Sequence, residues 1–348
     1  MPGNDIFASM KNLFFVCVLV SFVLACSNVT QNTVEKPVRN DQDSLKKEDP
    51  YSGINQAIKN DPNNIDLYIK RGEIAIEEGD AELAINDLER AKLIDSTDAQ
   101  VWVFAGKLNY LARNLNLAKD NLQFAVKLDD GNPEAWLELA KLNYELRDLK
   151  QAFKQVNESI KRDEQQYMPY YVKGLIWLET GDTVKAVSAM QTAVELNPDF
   201  YDGFLKIGSL YDMANNDVAL DYYNSAISIK PDDPAAYYYK GLYLQKTEEL
   251  EEAYQTYNEL LALDSTFYFA YYNQGLICYQ YLDEFEIAIE RFALAIERNP
   301  EYHEAIHAKG LCFEALGNMK KAEENFRKAL AIKPDYDLAA RSLSRIID

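Results

Sequence analysis

Small residues recur along this chain at an interval that leaves few architectures open. Gly72, Gly106, Ala140, Gly174, Gly208, Gly241, Gly275 and Gly310 follow one another every 33 to 35 positions. A second series is Ala84, Ala118, Ala152, Ala186, Ala219, Ala253, Ala288 and Ala322. A third lies seven positions behind it: Ala91, Ala125, Ser159, Ala193, Ala226, Leu260, Ala295 and Ala329. Self-similarity at such a period means one supersecondary unit stacked many times. Each copy has room for a helix, a short turn such as EEGD or ETGD, and a second, antiparallel helix. Small residues on both helices remove bulk where the axes cross, and the third small residue lets the next copy stack closely. Pro62, Pro198, Pro231, Pro300 and Pro334 cannot continue a helix interior, so they mark the passage into the next copy. One such pair cannot bury its own apolar face, so stacking is obligatory and stability is roughly a nearest-neighbour sum.

Large residues occupy the remaining periodic slots. The first helices open on Tyr68, Trp102, Trp136, Tyr170, Phe204, Tyr237, Tyr271 and Ile306. The second helices carry Leu88, Leu122, Val156, Met190, Tyr223, Tyr257, Phe292 and Phe326. Taken together, these series resemble the tetratricopeptide repeat (TPR) throughout residues 65–336. The departures are Ser159 and Leu260 in place of alanine, and Ser96, Asp130, Glu164 and Ser265 in place of the closing proline. The resemblance implies an all-α fold, a right-handed α-α superhelix or TPR solenoid. Its eight repeats would span 65–98, 99–132, 133–166, 167–200, 201–233, 234–267, 268–302 and 303–336. Residues 50–64 read as an N-terminal half-repeat cap and 337–348 as a C-terminal capping helix bearing Arg341 and Arg345. Polar-faced terminal helices are what a stack of this kind needs for solubility.

The residues before the repeats follow other rules. MKNLFFVCVLVSFVLACS starts at Met10, with Lys11 ahead of an apolar run from Leu13 to Leu24. That run is short for crossing about 30 Å of hydrocarbon but suits the apolar region of a signal peptide. It ends in VLAC, which resembles the lipobox of bacterial lipoproteins. The resemblance implies that residues 1–25 are a signal peptide and that Cys26 is lipidated as the first mature residue. The chain would then be lipid-anchored in the bacterial envelope, by preference at the outer membrane, facing the periplasm or the cell surface. An uncleaved anchor and an ordinary secretory signal are the competing readings. Met10 is a more natural start than Met1, because MPGNDIFAS puts an acid where such leaders are basic. Residues 26–49 carry no apolar periodicity and read as a solvated tether.

Charge bears on the partners. Asp and Glu number 56 against 36 Lys and Arg, a net charge of −20. A surface this acidic repels phosphate backbones, so nucleic acid is not an expected partner. Cys278 and Cys312 read as small core residues rather than a disulfide, and no C-x-x-C is present.

One motif points to chemistry. His303, Glu304 and His307 match H-E-x-x-H, in which two His hold zinc and the Glu is a general base. A metzincin-like extension would require a His where Phe313 stands, and Gly310 already belongs to the repeat. Catalysis also needs a third ligand and an open position, and Glu323 and Glu324 belong level with the far end of the first helix. The expectation is two polar, partly exposed His at a helix start, with no metal, no cofactor and no catalytic residue.

Binding is the remaining class of function. One stripe of the first helices holds Ile69, Val103, Leu137, Tyr171, Leu205, Tyr238, Tyr272 and His307, followed by Glu73, Lys107, Lys141, Leu175, Ser209, Leu242, Leu276 and Leu311. Leu178 and Tyr279 lie a turn further on. The stripe is charged early and apolar-aromatic later, and 24 Tyr exceed what the packing slots need. Tyrosine offers large contact area with a polar tip, as binding faces favour. A peptide or protein partner is therefore expected on Tyr171, Leu175, Leu178, Leu205, Tyr238, Leu242, Tyr272, Leu276 and Tyr279; inter-helix core is the competing reading of that stripe. A carrier of an apolar ligand or peptide is the alternative function, and a zinc metallopeptidase through His303, Glu304 and His307 is the remaining one. The carboxylate clamp of chaperone-type TPRs is not expected, since its slots hold Ile69 and Glu73, Phe104, and Glu134 and Glu138.

Overall fold

A computed structural model of the protein describes residues 49–347; the residues read above as a signal peptide and a tether, Cys26 among them, lie outside these up to residue 48. The regular structure of the described residues is all α-helix, in 18 helices. A lone α1 (Ser52–Asn60) is followed by eight pairs: α2 (Ile65–Glu77) and α3 (Ala81–Ile94), α4 (Ala99–Leu111) and α5 (Leu115–Leu128), α6 (Pro133–Glu145) and α7 (Leu149–Arg162), α8 (Tyr167–Glu179) and α9 (Thr183–Leu196). The remaining pairs are α10 (Tyr201–Met213) and α11 (Val218–Ile229), α12 (Pro234–Lys246) and α13 (Leu250–Leu263), α14 (Tyr268–Gln280) and α15 (Phe285–Arg298), and α16 (His303–Ala315) and α17 (Met319–Ile332). The last helix is α18 (Asp337–Ile347). Contacts divide the chain after Leu142, inside α6, into two units. No helix of the described residues is long and apolar enough to cross a membrane.

Short polar residues start the helices by taking up backbone N–H groups that have no intrahelical partner. Asn64, Asp98 and Asp233 accept from the N–H two residues on, ahead of first helices. Asp80, Asp148, Asp182 and Asn318 accept from the N–H three residues on, ahead of second helices. Between the helices of every pair one residue takes a left-handed backbone. It is Gly at 79, 181 and 317, but Arg113, Arg147, Asn215, Glu248 and Asp283 in the other repeats. A side chain there carries a steric cost that glycine escapes. Glu248→Gly is therefore expected to raise stability by roughly 0.5–1 kcal/mol, read as a higher urea midpoint. An unchanged or lower midpoint would show that the strain is relieved elsewhere.

Packing follows from the small residues. Every member of the second and third series is fully buried. A Cβ added at Gly174, Gly241, Gly275 or Gly310 would lie 2.5–2.6 Å from Met190, Tyr257, Phe292 or Phe326, so each large residue occupies the space its glycine leaves. Repeat one differs: Gly72 faces Phe104 of the next first helix. The opening aromatics have a second role. Tyr68, Trp102, Trp136, Tyr170 and Tyr237 each donate from the ring's polar tip to the carbonyl six residues earlier, at Pro62, Ser96, Asp130, Glu164 and Pro231 (2.8–3.3 Å). The aromatic thus fastens the inter-repeat turn whether or not that turn contains proline.

Candidate functional site

The first-helix stripe has a different character in each unit. In the first unit, Lys107 of α4 donates to Glu73 of α2 at 3.0 Å and to Glu134 of α6. Burial pushes the Lys107 ammonium down, but Glu134, with Glu138 and Glu73, more than offsets it, so the net shift is upward. A cleft of about 320 Å³ beside it is lined by Asp66, Ile69, Glu73, Val103, Lys107 and Glu134, among others. Carboxylates hold this lysine already, which leaves a mainly acidic, polar face.

In the second unit eight of the nine predicted residues keep part of their surface exposed. Leu205 does not: at 4% exposure it packs in the core with Tyr201, Ala219 and Tyr223. Tyr171, Leu175 and Leu178 lie over the core around Met190 and Ile207, and Tyr272, Leu276 and Tyr279 over that around Phe292 and Cys312. Tyr238 sits over Tyr257 and Leu260, and Leu242 is half-buried.

Three of the four predicted tyrosines have an aromatic partner, outside the stripe, at the joint to the next repeat. Tyr171 meets Phe200 edge-on (4.9 Å between ring centroids), Tyr238 meets Phe267 (5.1 Å), and Tyr272 meets Tyr302 (5.0 Å). Phe200, Phe267 and Tyr302 all stand immediately before the next first helix, at its N-cap. Phe269 joins them, 6.1 Å from Tyr238 and 5.6 Å from Tyr302. The available signal was an aromatic in place of the usual Asp or Asn cap. Edge-on and tilted arrangements of this kind are the favourable ones for aromatic pairs.

The polar part of this face is equally specific. Burial pushes the Tyr238 phenol up to about 12, with Asn273 pulling the other way, and burial pushes Tyr171 and Tyr272 up as well. These hydroxyls therefore stay protonated and able to donate. Asn273 is 6% exposed, and its side-chain amide faces the Tyr238 and Tyr257 phenols, toward which it is placed to donate.

The HEAIH residues serve packing. His307 is buried at 6% exposure rather than partly exposed, and its Nε2 lies 3.0 Å from Ser342 Oγ on α18. Its ring packs tilted against Phe326 (5.4 Å) and edge-on against Tyr336 (5.4 Å), while His303 meets Tyr336 edge-on (4.7 Å) and has Glu304 at 3.1 Å. Among the described residues no three His, Cys, Asp or Glu side chains converge as a metal site. Arg345 donates to both carboxylate oxygens of Glu314 (2.8 and 2.7 Å), a second clasp on the closing helix. Cys278 and Cys312 are separate, buried thiols.

Burial, then the Arg345 charge, lowers the pKa of His307 from 6.5 to about 4. The unfolded chain therefore takes up a proton between pH 6.5 and 4 that the folded chain refuses, and stability falls as pH is lowered through that window. Allowing for solvent at the ring edge, the loss from pH 7 to pH 5 should be on the order of 1–2 kcal/mol. His307→Gln, which can still bond Ser342, should flatten that slope in urea titrations. Equal slopes in the two proteins would remove His307 from the account.

Solved structures share this architecture. The C-terminal part of a TPR repeat-containing protein from Cytophaga hutchinsonii is 18% identical, with 68% of this chain and 98% of that one covered at a TM-score of 0.61. The APC/C hetero-tetramer Cut9–Hcn1 matches at 16% identity, covering 84% of this chain and 57% of that one, with a TM-score of 0.52. PilF of Pseudomonas aeruginosa matches at 18%, covering 61% and 94%, with a TM-score of 0.51. At these identities the likeness is one of fold. Family models described as tetratricopeptide repeat match residues 106–169, 206–266 and 270–337, and again 65–98 and 169–200. With more than half of its length so matched, the chain belongs to the tetratricopeptide repeat family.

Proposed function

We propose that this protein is a non-enzymatic scaffold of the bacterial envelope, held by lipid on Cys26, that binds a protein or peptide partner on the first-helix face of its second unit. The observation that carries the binding face is the grouping of Tyr238 and Tyr272 with Phe267, Phe269 and Tyr302, partly exposed rings in mutual contact on one face. A peptide segment with an apolar or aromatic side chain supplies matching surface for these rings, whose phenols can donate to its carbonyls. The lipid anchor rests on the VLAC sequence alone.

Pull-down from envelope extract, read by mass spectrometry, tests the face. Wild type should retain a partner that Tyr238→Ala/Tyr272→Ala loses. Recovery of the same proteins by both would move the site elsewhere, to the acidic first unit or the second-helix face. The anchor is tested separately: Cys26→Ser should pass from the membrane to the soluble fraction, and retention in the membrane would discard lipidation at that residue.

A further inference from the structure

The fourth helix pair carries a feature that the first-helix face does not use. On α8, Lys173 and Trp177 lie about half a helical turn from Tyr171, Leu175 and Leu178, and so on the other side of that helix. With Lys185 and Ser188 of α9 they line a cleft of about 340 Å³. Lys185 Nζ stands 4.5 Å over the Trp177 ring, and Trp177 meets Phe153 of α7 edge-on at 4.9 Å. Lys173 Nζ lies 5.7 Å over Phe153.

Part of this arrangement returns four repeats later. Lys309, Phe313 and Lys321 occupy the slots of Lys173, Trp177 and Lys185, each 136 positions on, and Lys321 Nζ stands 5.0 Å over the Phe313 ring. Repeat six has a lysine in the first slot, Lys240, but Leu244 and Glu252 in the other two. The trio is therefore not an obligatory part of the repeat. Stacking of helix pairs explains the aromatic and leaves the lysines without a packing reason.

Electrostatics distinguishes these lysines from the others of a chain whose net charge is −20. Burial lowers the pKa of Lys173, and no carboxylate counters it. Burial also lowers that of Lys309, and the charges bearing on it are two more cations, Lys328 and Lys321, although Glu324 stands in the slot of Ser188. Lys185 has a carboxylate neighbour, Asp182 at 2.6 Å; in the second trio Asn318 takes that place. Two half-buried ammonium groups thus lack a counter-charge in a protein with a large surplus of carboxylates.

We propose that the two lysine–aromatic–lysine clusters are seats for an acidic peptide segment of a partner protein, each taking a carboxylate between its lysines and a neighbouring apolar side chain on its ring. Charge complementarity selects this occupant: a carboxylate repays the desolvation of Lys173 or Lys309, and an aromatic face beside a cation accepts an apolar flank. A second copy of this chain is disfavoured by the repulsion of two bodies of the same large charge. The inference does not depend on the first-helix face.

Isothermal titration of the full chain with a short synthetic peptide of alternating glutamate and leucine tests it. Wild type should take up two peptides, Lys173→Gln or Lys309→Gln one, and the double variant none. Lys240→Gln should still take up two. Each lost seat should weaken peptide binding at that seat by about tenfold or more. The lysines removed are partly desolvated, so melting midpoints should not fall. Undiminished uptake by the double variant, or equal uptake of a peptide with glutamine for glutamate, would overturn the proposal. So would a wild-type dimer that the double variant breaks, because the seats would then belong to a second copy.

Discussion

Phe292→Ala is expected to destabilise the protein by about 3–5 kcal/mol, since it empties a fully buried site between α14 and α15. The ring lies over Gly275, where an added Cβ would come within 2.6 Å of it, and it meets Tyr272 at 5.6 Å. Gly275→Ala should therefore cost about 1–3 kcal/mol by overpacking, despite alanine's better helix propensity. Combined with Phe292→Leu, the added methyl enters vacated space, so the pair should cost clearly less than the two single changes together. Gly53 supplies the control: nothing lies within 4 Å of its missing Cβ, and Gly53→Ala in α1 should stabilise by about 0.5–1 kcal/mol. Urea midpoints measure all of these. If Gly275→Ala is tolerated as well as Gly53→Ala, the glycine series is not set by axis approach.

Arg71→Ala should cost about 3 kcal/mol, because it strands a carboxylate that cannot reach water. Asp87, 1% exposed on α3, accepts from Arg71 Nε at 2.9 Å and from Nη2 at 2.5 Å, and Arg71 Nη1 donates to Asn55 of α1 at 2.7 Å. One guanidinium thus joins three helices at the start of the stack. Replacing both charges, as in Arg71→Met/Asp87→Leu, should return stability to within about 1 kcal/mol of wild type, since well-packed apolar residues often equal a buried ion pair. The double variant should nonetheless lose amide-exchange protection in Ser52–Asn60, because the bond to Asn55 is gone. A double variant as unstable as Arg71→Ala would mean that shape, not stranded charge, is what Arg71 provides.

Residues 65–336 were legible as stacked helix pairs because the contacts that make them are local. A small residue and the large one that covers it, such as Gly241 and Tyr257, are 16 positions apart, and the same pairing recurs with the repeat. The candidate face was legible only in part. Helical periodicity put Leu205 on the stripe with Tyr171 and Tyr238, but it cannot say how far a helix turns into the core, and Leu205 went inside. Periodicity also treats each helix alone, so Phe200, Phe267 and Tyr302, at the joints between repeats, escaped it.

What the sequence determined by itself was the unit, its register and its repetition, since a steric rule that holds within some 34 residues leaves a pattern readable in one dimension. What the tertiary structure alone decided was the use of residues outside that rule. His307 became a buried fastener to Ser342, 35 residues away, rather than a partly exposed residue at a helix start. Two lysines in repeats four and eight were half-buried without a counter-charge. The physical reason is the same in both cases: burial and partnership of a polar side chain depend on which elements close over it, and no local spacing records that.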